Sequence, residues 1–289
     1  MSAANIPGDT QKPIQAAVIG WPIKHSRSPL IHNTWLNQLG IAARYEKYAV
    51  DPADVTDFLR SMPERGLLGC NVTIPHKTIA YETADNCHPD AVAVGAANTI
   101  WFEGNKMCAT NTDIYGFITH LDASAPQWRK ADRPVTLLGA GGAARAIVYG
   151  FLQSGVTEIR IVNRTRAAAD ELTNIFGPKI RAVDWHEMQS ALTDCGVLVN
   201  TTSLGMEGGP ALEIDLSPMP DGSTVNDIVY VPLETPLLAA ARARGLVAVD
   251  GLGMLLHQAV PSFERWFHVR PQVTPMLRDS VIADLKAHP

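Results

Sequence analysis

The sequence predicts an α/β protein with two α/β domains, and three observations lead to this fold class. The chain has 289 residues, 46% of them hydrophobic, which is more than one typical core needs. Short apolar stretches alternate with helical patterns in both halves. Near the middle of the chain, an apolar strand runs into a glycine-rich turn and then a helix, the pattern of a Rossmann-type dinucleotide-binding domain.

The first half of the chain predicts an α/β sheet domain after a short tail. We expect the polar residues 1–15 to form a frayed tail, because they lack the apolar core of a signal peptide. The predicted elements are strands at residues 15–20 and 45–50, helices at 30–39 and 54–62, and a further strand that leads into residues 71–77.

Two serines stand in the loop that follows the first strand. Ser26 and Ser28 are two residues apart, so in an extended loop their hydroxyls point the same way and can bind one carboxylate or a pair of substrate hydroxyls. Ser28 also precedes Pro29, an arrangement typical of a helix N-cap. The sequence leaves both interpretations open.

Residues 71–77, Asn-Val-Thr-Ile-Pro-His-Lys, are a strand end that presents polar groups. Pro75 prevents the strand from continuing, so Thr73 and Lys77 lie where the strand becomes a loop or helix. A lysine there can donate and accept protons in catalysis. The alternative is a solvated surface lysine.

Two further polar residues are candidates for the same site. Asn98 precedes a predicted strand and is either a turn residue or a bidentate partner for substrate hydroxyls. Asp113 precedes a helical pattern at residues 114–121 and is either a helix N-cap or the carboxylate that pairs with Lys77.

The second domain is predicted to begin after a linker at residues 122–134. A strand at 135–138 precedes Gly139, Ala140, Gly141, Gly142 and Ala143, and a helix follows at 145–153. Gly139, Gly141 and Ala144 fit the G-x-G-x-x-G/A spacing, in which the backbone approaches a pyrophosphate at a helix N-terminus. The alternative is a tightly packed turn without a ligand.

The end of the next strand, at residues 158–162, predicts which dinucleotide binds. An NAD site is expected to have Asp or Glu here, but the chain has Asn163, Arg164 and Thr165. Arg164 can bond a 2′-phosphate bidentately and stack on adenine. The pattern therefore favours NADP(H), although arginines are also common surface residues.

The rest of the chain predicts more strands and helices with polar ends. Strands are expected from residue 197, at 224–230 and at 247–250, and helices at 236–244 and after Gly251. Gln258 lies on an apolar helix face, where a buried amide needs partners that substrate hydroxyls can supply. The adjacent His257 is expected to be a surface or core residue.

Composition excludes several classes of function. The formal net charge of −5 gives no basic surface for nucleic acid. No run of about 20 apolar residues predicts a membrane helix. The four cysteines, Cys70, Cys87, Cys108 and Cys195, include no closely spaced pair of the kind used for zinc, and we expect reduced thiols in the cytoplasm.

Taken together, these motifs resemble the shikimate dehydrogenase family. The similarity covers nearly the whole chain, in the family's order, and is carried by His25-Ser26-Arg27-Ser28-Pro29, residues 71–77, Asn98, Asn111-Thr112-Asp113, Gly139 to Ala144, Asn163-Arg164-Thr165, residues 200–206, Tyr230 and residues 251–258.

This resemblance implies the NADPH-dependent, reversible reduction of 3-dehydroshikimate to shikimate without a metal ion. It implies a discontinuous substrate domain, residues 1–112 and 251–289, a dinucleotide-binding domain, residues 113–250, and a cleft between them, with residues 280–288 beside 30–39. The implied catalytic pair is Lys77 and Asp113. The implied substrate contacts are Ser26, Ser28, Thr73, Asn98, Tyr230 and Gln258. The implied cofactor contacts are Gly139, Ala140, Gly141, Gly142, Ala143, Asn163, Arg164, Thr165, Ile228 and Gly251.

Two departures from the family pattern accompany the resemblance. Many NADP-specific members have a basic residue near Ala168, for which only Arg166 can substitute here, and Trp21 replaces a small or polar residue. Quinate/shikimate dehydrogenase with relaxed cofactor use, a non-catalytic cofactor sensor, and a methylene-tetrahydrofolate dehydrogenase are the alternatives. A cytoplasmic monomer or homodimer is expected.

Overall fold

The computed structural model describes residues 14–130 and 132–288. The predicted tail lies outside the described residues except for Ile14 and Gln15, which belong to the first strand. The described residues form two six-stranded sheets. The strands are β1 (Ile14–Gly20), β2 (Ala43–Ala49), β3 (Leu67–Val72), β4 (Asn86–Cys87), β5 (Thr99–Glu103), β6 (Lys106–Thr110), β7 (Val135–Leu138), β8 (Ile159–Asn163), β9 (Ile180–Asp184), β10 (Val197–Asn200), β11 (Thr224–Asp227) and β12 (Val247–Val249).

The helices complete two α/β layers around these sheets. They are α1 (Ser28–Gln38), α2 (Val55–Arg60), α3 (Lys77–Thr83), α4 (Pro89–Val94), α5 (Asp113–Ser124), α6 (Gly142–Gln153), α7 (Arg166–Phe176), α8 (Pro236–Ala243), α9 (Leu252–Phe267) and α10 (Pro275–Ala287). The mixed α/β fold class predicted from the sequence is confirmed.

The first sheet is mixed, with strand order β2-β1-β3-β5-β6-β4. Strand β1 pairs parallel with β2 and β3, whereas β5 is antiparallel to β3 and to β6. The carboxyl ends of β1, β3 and β6 therefore lie at the same edge as the start of β5. This edge carries the predicted substrate and catalytic residues.

Helices cover both faces of the first sheet because its central strands are apolar on both sides. Ala16 and Val18 of β1 face a core formed with α1, α9 and α10, while Ala17 and Ile19 face a core formed with α2, α3 and α4. The C-terminal helices thus pack on the N-terminal sheet, and α10 lies beside α1, as predicted.

The second sheet is entirely parallel, with strand order β12-β11-β10-β7-β8-β9. The order reverses between β7 and β10, and such a switch point at the carboxyl edge is where doubly wound sheets bind dinucleotides. Phe117 and Leu121 of α5 enter one core of this sheet, and α5 also packs against α9. Helix α5 therefore joins the two sheets.

Several predicted boundaries were wrong. Helix α5 continues to Ser124 and a short 3₁₀ turn spans Trp128–Lys130, so the predicted linker at 122–134 is partly helical. Helix α6 begins at Gly142 rather than residue 145. The domain limits 1–112 with 251–289, and 113–250, stay a prediction. In the part of the chain that the structure describes, no helix is both long and apolar enough to span a membrane.

Candidate active site

Lys77 and Asp113 form an ion pair at the carboxyl edge of the first sheet. Lys77 is the first residue of α3, shortly after β3, and Asp113 is the first residue of α5, shortly after β6. Lys77 Nζ lies 2.5 Å from Asp113 Oδ2, and the two side chains are 29% and 14% exposed. The lysine is therefore held by a carboxylate yet still reaches solvent.

One of the two interpretations of Asp113, that it is the N-cap of its helix, is wrong. Thr112 occupies the N-cap position without a side-chain cap, and Asn111 Oδ1 accepts the Asp113 backbone N–H at 3.0 Å. Because Asn111 satisfies this donor, both oxygens of the Asp113 carboxylate remain available to Lys77 and Asn98. No role was predicted for Asn111, although it lies in the same polar run.

Asn98 orients the Asp113 carboxylate. Its Nδ2 donates to Asp113 Oδ1 at 2.8 Å, while its Oδ1 accepts from the Thr112 backbone N–H at 2.8 Å and from the Thr112 hydroxyl at 3.1 Å. The predicted bidentate contact of Asn98 with substrate hydroxyls is therefore wrong as stated, because the carbonyl oxygen is occupied. One N–H of the amide remains for a ligand.

The serine loop and the residues 71–77 meet at the same edge. The Trp21 N–H donates to the Ile74 carbonyl at 3.1 Å, and a Cβ on Gly20 would lie 2.6 Å from Thr73 Cγ2. At position 20, the end of β1, only glycine leaves room for the Thr73 side chain. Trp21 is 47% exposed, and nothing in the structure explains its indole ring.

Ser28 is buried and does not cap α1. The N-cap position is Arg27, without a side-chain cap, and Ser28 is the first helical residue. Ser26 Oγ accepts the Ser28 backbone N–H at 3.4 Å. The capping interpretation of Ser28 is therefore wrong, because the helix begins one residue earlier than expected. Arg27 pairs with Asp284 of α10 at 2.8 Å, which anchors the loop to the C-terminal helix.

Gln258 lies where Gly116 allows α5 and α9 to approach closely. A Cβ on Gly116, one helical turn after Asp113, would lie 2.6 Å from Gln258 Cβ and 2.7 Å from the Met254 carbonyl oxygen. Gln258 is 8% exposed, and its Nε2 donates to the Leu255 carbonyl at 3.0 Å. The close contact places this buried amide beside the turn of α5 that carries Asp113.

The glycine turn of the second sheet is shaped for a phosphate group. Gly139 has φ +103°, and a Cβ there would lie 2.7 Å from Thr201 Oγ1, so glycine is required on both counts. A Cβ on Gly141 or Gly142 meets nothing within 4 Å. Open space therefore lies at the N-terminus of α6, where backbone N–H groups and the helix dipole favour an anion.

The residues after β8 differ in their freedom to bind a phosphate. Arg164 is exposed. Arg166 pairs with Asp170 at 2.9 Å and with Asp184 at 3.1 Å. Asn163 Nδ2 donates to the Thr165 carbonyl at 2.8 Å. Of the two arginines, Arg164 is the better candidate for a 2′-phosphate, because Arg166 already has two carboxylate partners.

Two predicted cofactor residues, Ile228 and Gly251, are in contact. A Cβ on Gly251 would lie 2.2 Å from the Ile228 carbonyl oxygen, so the turn before α9 packs directly on the loop after β11. The Ile228 N–H donates to the Asn200 carbonyl at 3.1 Å. The ends of β10, β11 and β12 are therefore held together at the predicted nicotinamide side of the site.

A buried carboxylate, Asp227, organises these loops and was given no role from the sequence. Its oxygens accept from Asn200 Nδ2 at 2.9 Å, the Val229 N–H at 3.1 Å and the Thr235 hydroxyl at 2.7 Å. Burial raises the pKa of Asp227, and the three donors oppose that shift. An acid at the end of a strand, directly before a loop, is the signal that could have identified it.

Tyr230 follows in the same loop and packs against the core of the first sheet. Burial raises the pKa of its phenol, and the nearby Arg27 guanidinium opposes the shift. The loop after β11 of the second sheet therefore brings Tyr230 close to the serine loop. Direct contacts join Lys77, Asp113 and Asn98, whereas Ser26, Ser28 and Thr73 share their edge of the sheet without contacting the pair.

The described residues contain no group of three or more His, Cys, Asp or Glu side chains placed to hold a metal ion. All four cysteines are free thiols.

Three family models match the chain in order. Residues 18–100 match the shikimate dehydrogenase substrate binding domain, residues 123–206 match shikimate/quinate 5-dehydrogenase, and residues 251–278 match the shikimate 5′-dehydrogenase C-terminal domain. The shikimate dehydrogenase (NADP(+)) of Azorhizobium caulinodans is 50% identical over 94% of this chain and 97% of its own length. The protein of the same name from Brucella canis is 52% identical over 94% of each chain.

Solved structures with bound cofactor share this architecture. Shikimate 5-dehydrogenase from Thermus thermophilus, in complex with NADP(H) and shikimate, superimposes with a TM-score of 0.84 at 31% identity, covering 94% of this chain and 99% of that one. Quinate dehydrogenase from Corynebacterium glutamicum, in complex with NAD, gives a TM-score of 0.85 at 29% identity with the same coverage.

Proposed function

Because this chain belongs to the shikimate dehydrogenase family, we infer that it catalyses the reversible, NADP(H)-dependent reduction of 3-dehydroshikimate to shikimate. The observation that carries this inference is the hydrogen-bonded group of Lys77, Asp113 and Asn98 at the edge of the first sheet. The relatives that are about 50% identical over most of the chain are named for this activity.

We propose that Lys77 is the general acid of the reduction and the base of the reverse reaction. NADPH, when bound, supplies the hydride that adds to the ring ketone carbon. Lys77 donates a proton from Nζ to the ketone oxygen as the alcohol forms, a contribution of typically ~10²- to 10⁴-fold in rate. Since the Lys77 side chain is 29% exposed, solvent can restore its proton.

Asp113 and Asn98 hold Lys77 in position for this transfer. Asp113 Oδ2 accepts one N–H of the ammonium, and Asn98 fixes the carboxylate from the other side. The two remaining N–H groups of the lysine then point away from Asp113, and one of them can reach the substrate oxygen. Asp113 therefore acts as the orienting partner.

The remaining substrate residues are proposed from their positions. Ser26 and Ser28 bind the carboxylate, while Thr73, Tyr230, Gln258 and the free N–H of Asn98 bind ring hydroxyls. In support, the loops of Ser26 and Thr73 meet through Gly20 and Trp21, and Gln258 packs beside the Asp113 turn. These groups suit a small polyhydroxy acid.

The cofactor site is proposed along the carboxyl edge of the second sheet. The backbone from Gly139 to Ala143 would hold the pyrophosphate, since the space above Gly141 and Gly142 is open. Asn163, Arg164 and Thr165 would hold the adenosine 2′-phosphate, with Ile228 and Gly251 near the nicotinamide. The substrate and the dinucleotide are thus bound by opposite walls of one cleft.

One assay separates the proposed function from its alternatives. NADPH formation is followed with shikimate, and kcat/KM is compared with values for quinate and for NAD+. We expect shikimate with NADP+ to give the highest value. A preference for quinate would identify a quinate enzyme, and tight NADPH binding without turnover of either acid would identify a cofactor sensor.

The oligomeric state and the cellular location of the protein are also proposed. We propose a cytoplasmic monomer or homodimer that binds neither nucleic acid nor membranes. The net charge of −5 and the four free thiols support this proposal. Gel filtration with light scattering would determine the oligomeric state.

A further inference from the structure

A group of buried polar side chains lies behind the catalytic pair, inside the core of the first sheet. Its members come from β2, β3, β5, the residue before β5, and α9, and all are almost fully shielded from solvent. They are Tyr45 (2% exposed), Asn71 (4%), Ser262 (0%), Thr99 (1%) and Asn98 (2%). Buried polar groups must satisfy one another, so the direction of each hydrogen bond can be derived.

Two backbone groups fix the orientation of both amides. The Thr112 N–H can only donate, so the atom of Asn98 that it contacts at 2.8 Å is Oδ1, and Asn98 Nδ2 faces Asp113. The Asn98 carbonyl can only accept, so the atom of Asn71 that it contacts at 3.1 Å is Nδ2. Asn71 Oδ1 is then the acceptor for the Tyr45 hydroxyl at 2.7 Å.

The hydroxyl protons follow from these two orientations. Asn71 Nδ2 donates to Ser262 Oγ at 2.9 Å and also lies within hydrogen-bond distance of Thr99 Oγ1, at 3.1 Å. The only other hydrogen-bond partner of Ser262 Oγ among residues 14–130 and 132–288 is Thr99 Oγ1 at 2.7 Å, so Ser262 donates to Thr99. Thr99 then donates to Asn98 Oδ1, directly at 3.1 Å or through the Thr112 hydroxyl.

Every donor in this chain therefore points toward the Asp113 carboxylate. The order is Tyr45, Asn71, Ser262, Thr99, Asn98 and Asp113. Hydrogen bonds aligned head to tail polarise one another, and a low local dielectric strengthens the effect. The last N–H of the chain, on Asn98, is thus a stronger donor to Asp113 than an isolated amide would be.

We propose that Tyr45 and Ser262 are positioning residues for the reaction, acting through this chain to hold the Asp113 carboxylate in the orientation that presents Lys77 to the substrate. The proposal rests on the proposed function and adds two residues to it. The Tyr45 ring is itself held in place, because His32 stacks on it with ring centroids 4.0 Å apart. Both side chains are almost fully shielded from solvent.

The test uses Tyr45→Phe, Ser262→Ala and the double variant. Each change removes one hydroxyl and leaves the carbon framework in place. Tyr48→Phe is the control on the same strand, since the Tyr48 hydroxyl contacts Glu46 instead. Ser223→Ala is the control for a buried serine, since Ser223 donates to the Cys195 carbonyl at 2.8 Å in the second sheet.

The measured quantities are the pre-steady-state rate of NADPH formation, KM for shikimate and Tm. We expect each single variant to lower the rate about fivefold, the effect of one net hydrogen bond, with KM changed less than twofold. The double variant should lose less than the product of the two single losses, because both changes weaken the same chain, in which Asn71 Nδ2 also contacts Thr99 Oγ1 directly. Both controls should keep the wild-type rate.

Two results would overturn the proposal while leaving the proposed function intact. One is a wild-type rate in both single variants with Tm lowered as in Ser223→Ala, which would show a purely structural role. The other is a double variant whose loss is the product of the single losses, which would show two independent packing defects. Absence of wild-type turnover with shikimate would overturn the proposed function and, with it, this inference.

Discussion

Because His32 is buried, we expect the folded protein to lose stability in acid. The ring lies in α1 with 0% exposure, stacked on Tyr45. Burial lowers the pKa of His32 from 6.5 to about 3, and the Asn71 side chain opposes this shift. The folded protein therefore holds this imidazole neutral where the unfolded chain would protonate it.

The sign and size of the effect follow from proton linkage. Between pH 6.5 and about 3 the unfolded state binds a proton that the folded state excludes, so the free energy of unfolding falls as the pH falls. Each such group contributes up to about 1.4 kcal/mol per pH unit. Acidification from pH 6.5 to 5 should therefore cost about 2 kcal/mol through His32 alone.

The assay is urea unfolding at pH 6.5 and pH 5 for the wild type and His32→Phe. Phenylalanine keeps the stacking on Tyr45 and cannot titrate, so we expect this variant to lose about 2 kcal/mol less than the wild type over that interval. His186→Gln, at an exposed position, serves as the control. Equal losses in His32→Phe and the wild type would refute the reasoning.

Two further predictions concern the site. Gly116→Ala should push α9 away from α5, because its Cβ would lie 2.6 Å from Gln258 Cβ. We expect a loss of about 1–3 kcal/mol in urea unfolding and a higher KM for shikimate; an unchanged KM would contradict the placement of Gln258. Arg164→Gln should lower kcat/KM for NADP+ about tenfold to hundredfold and spare NAD+, whereas Arg166→Gln should have a smaller effect. Equal effects on both cofactors would contradict the role of Arg164.

The fold could be predicted because its signals are local. The alternation of apolar strands and helices and the turn at Gly139 depend on neighbouring residues, and they predicted the α/β class. Strands β4, β6 and β9 were not predicted. Boundaries failed where tertiary packing extends an element. Helix α5 continues to Ser124 because Phe117 and Leu121 are buried against the second sheet. The polar residues after Leu121 did not indicate this packing.

The sequence predicted which types of side chain form the candidate site, but it predicted the contacts between them less well. The pairing of Lys77 with Asp113 was one of two interpretations, and it depends on strands β3 and β6 meeting across β5. The oxygen of Asn98 is occupied by Thr112, 14 residues away, and the buried Asp227 accepts from Asn200, 27 residues away. A single sequence gives no signal for such partners.

The most direct test of the central claim is the turnover of Lys77→Met, which keeps an unbranched side chain and removes the ammonium group that carries the proton. The account predicts that kcat for shikimate oxidation falls ~10²- to 10⁴-fold, while the Kd for shikimate, measured by calorimetry, changes only a few-fold. Arg265→Met, an exposed cation stacked on Trp101, should keep the wild-type kcat. An unchanged kcat in Lys77→Met would contradict the account.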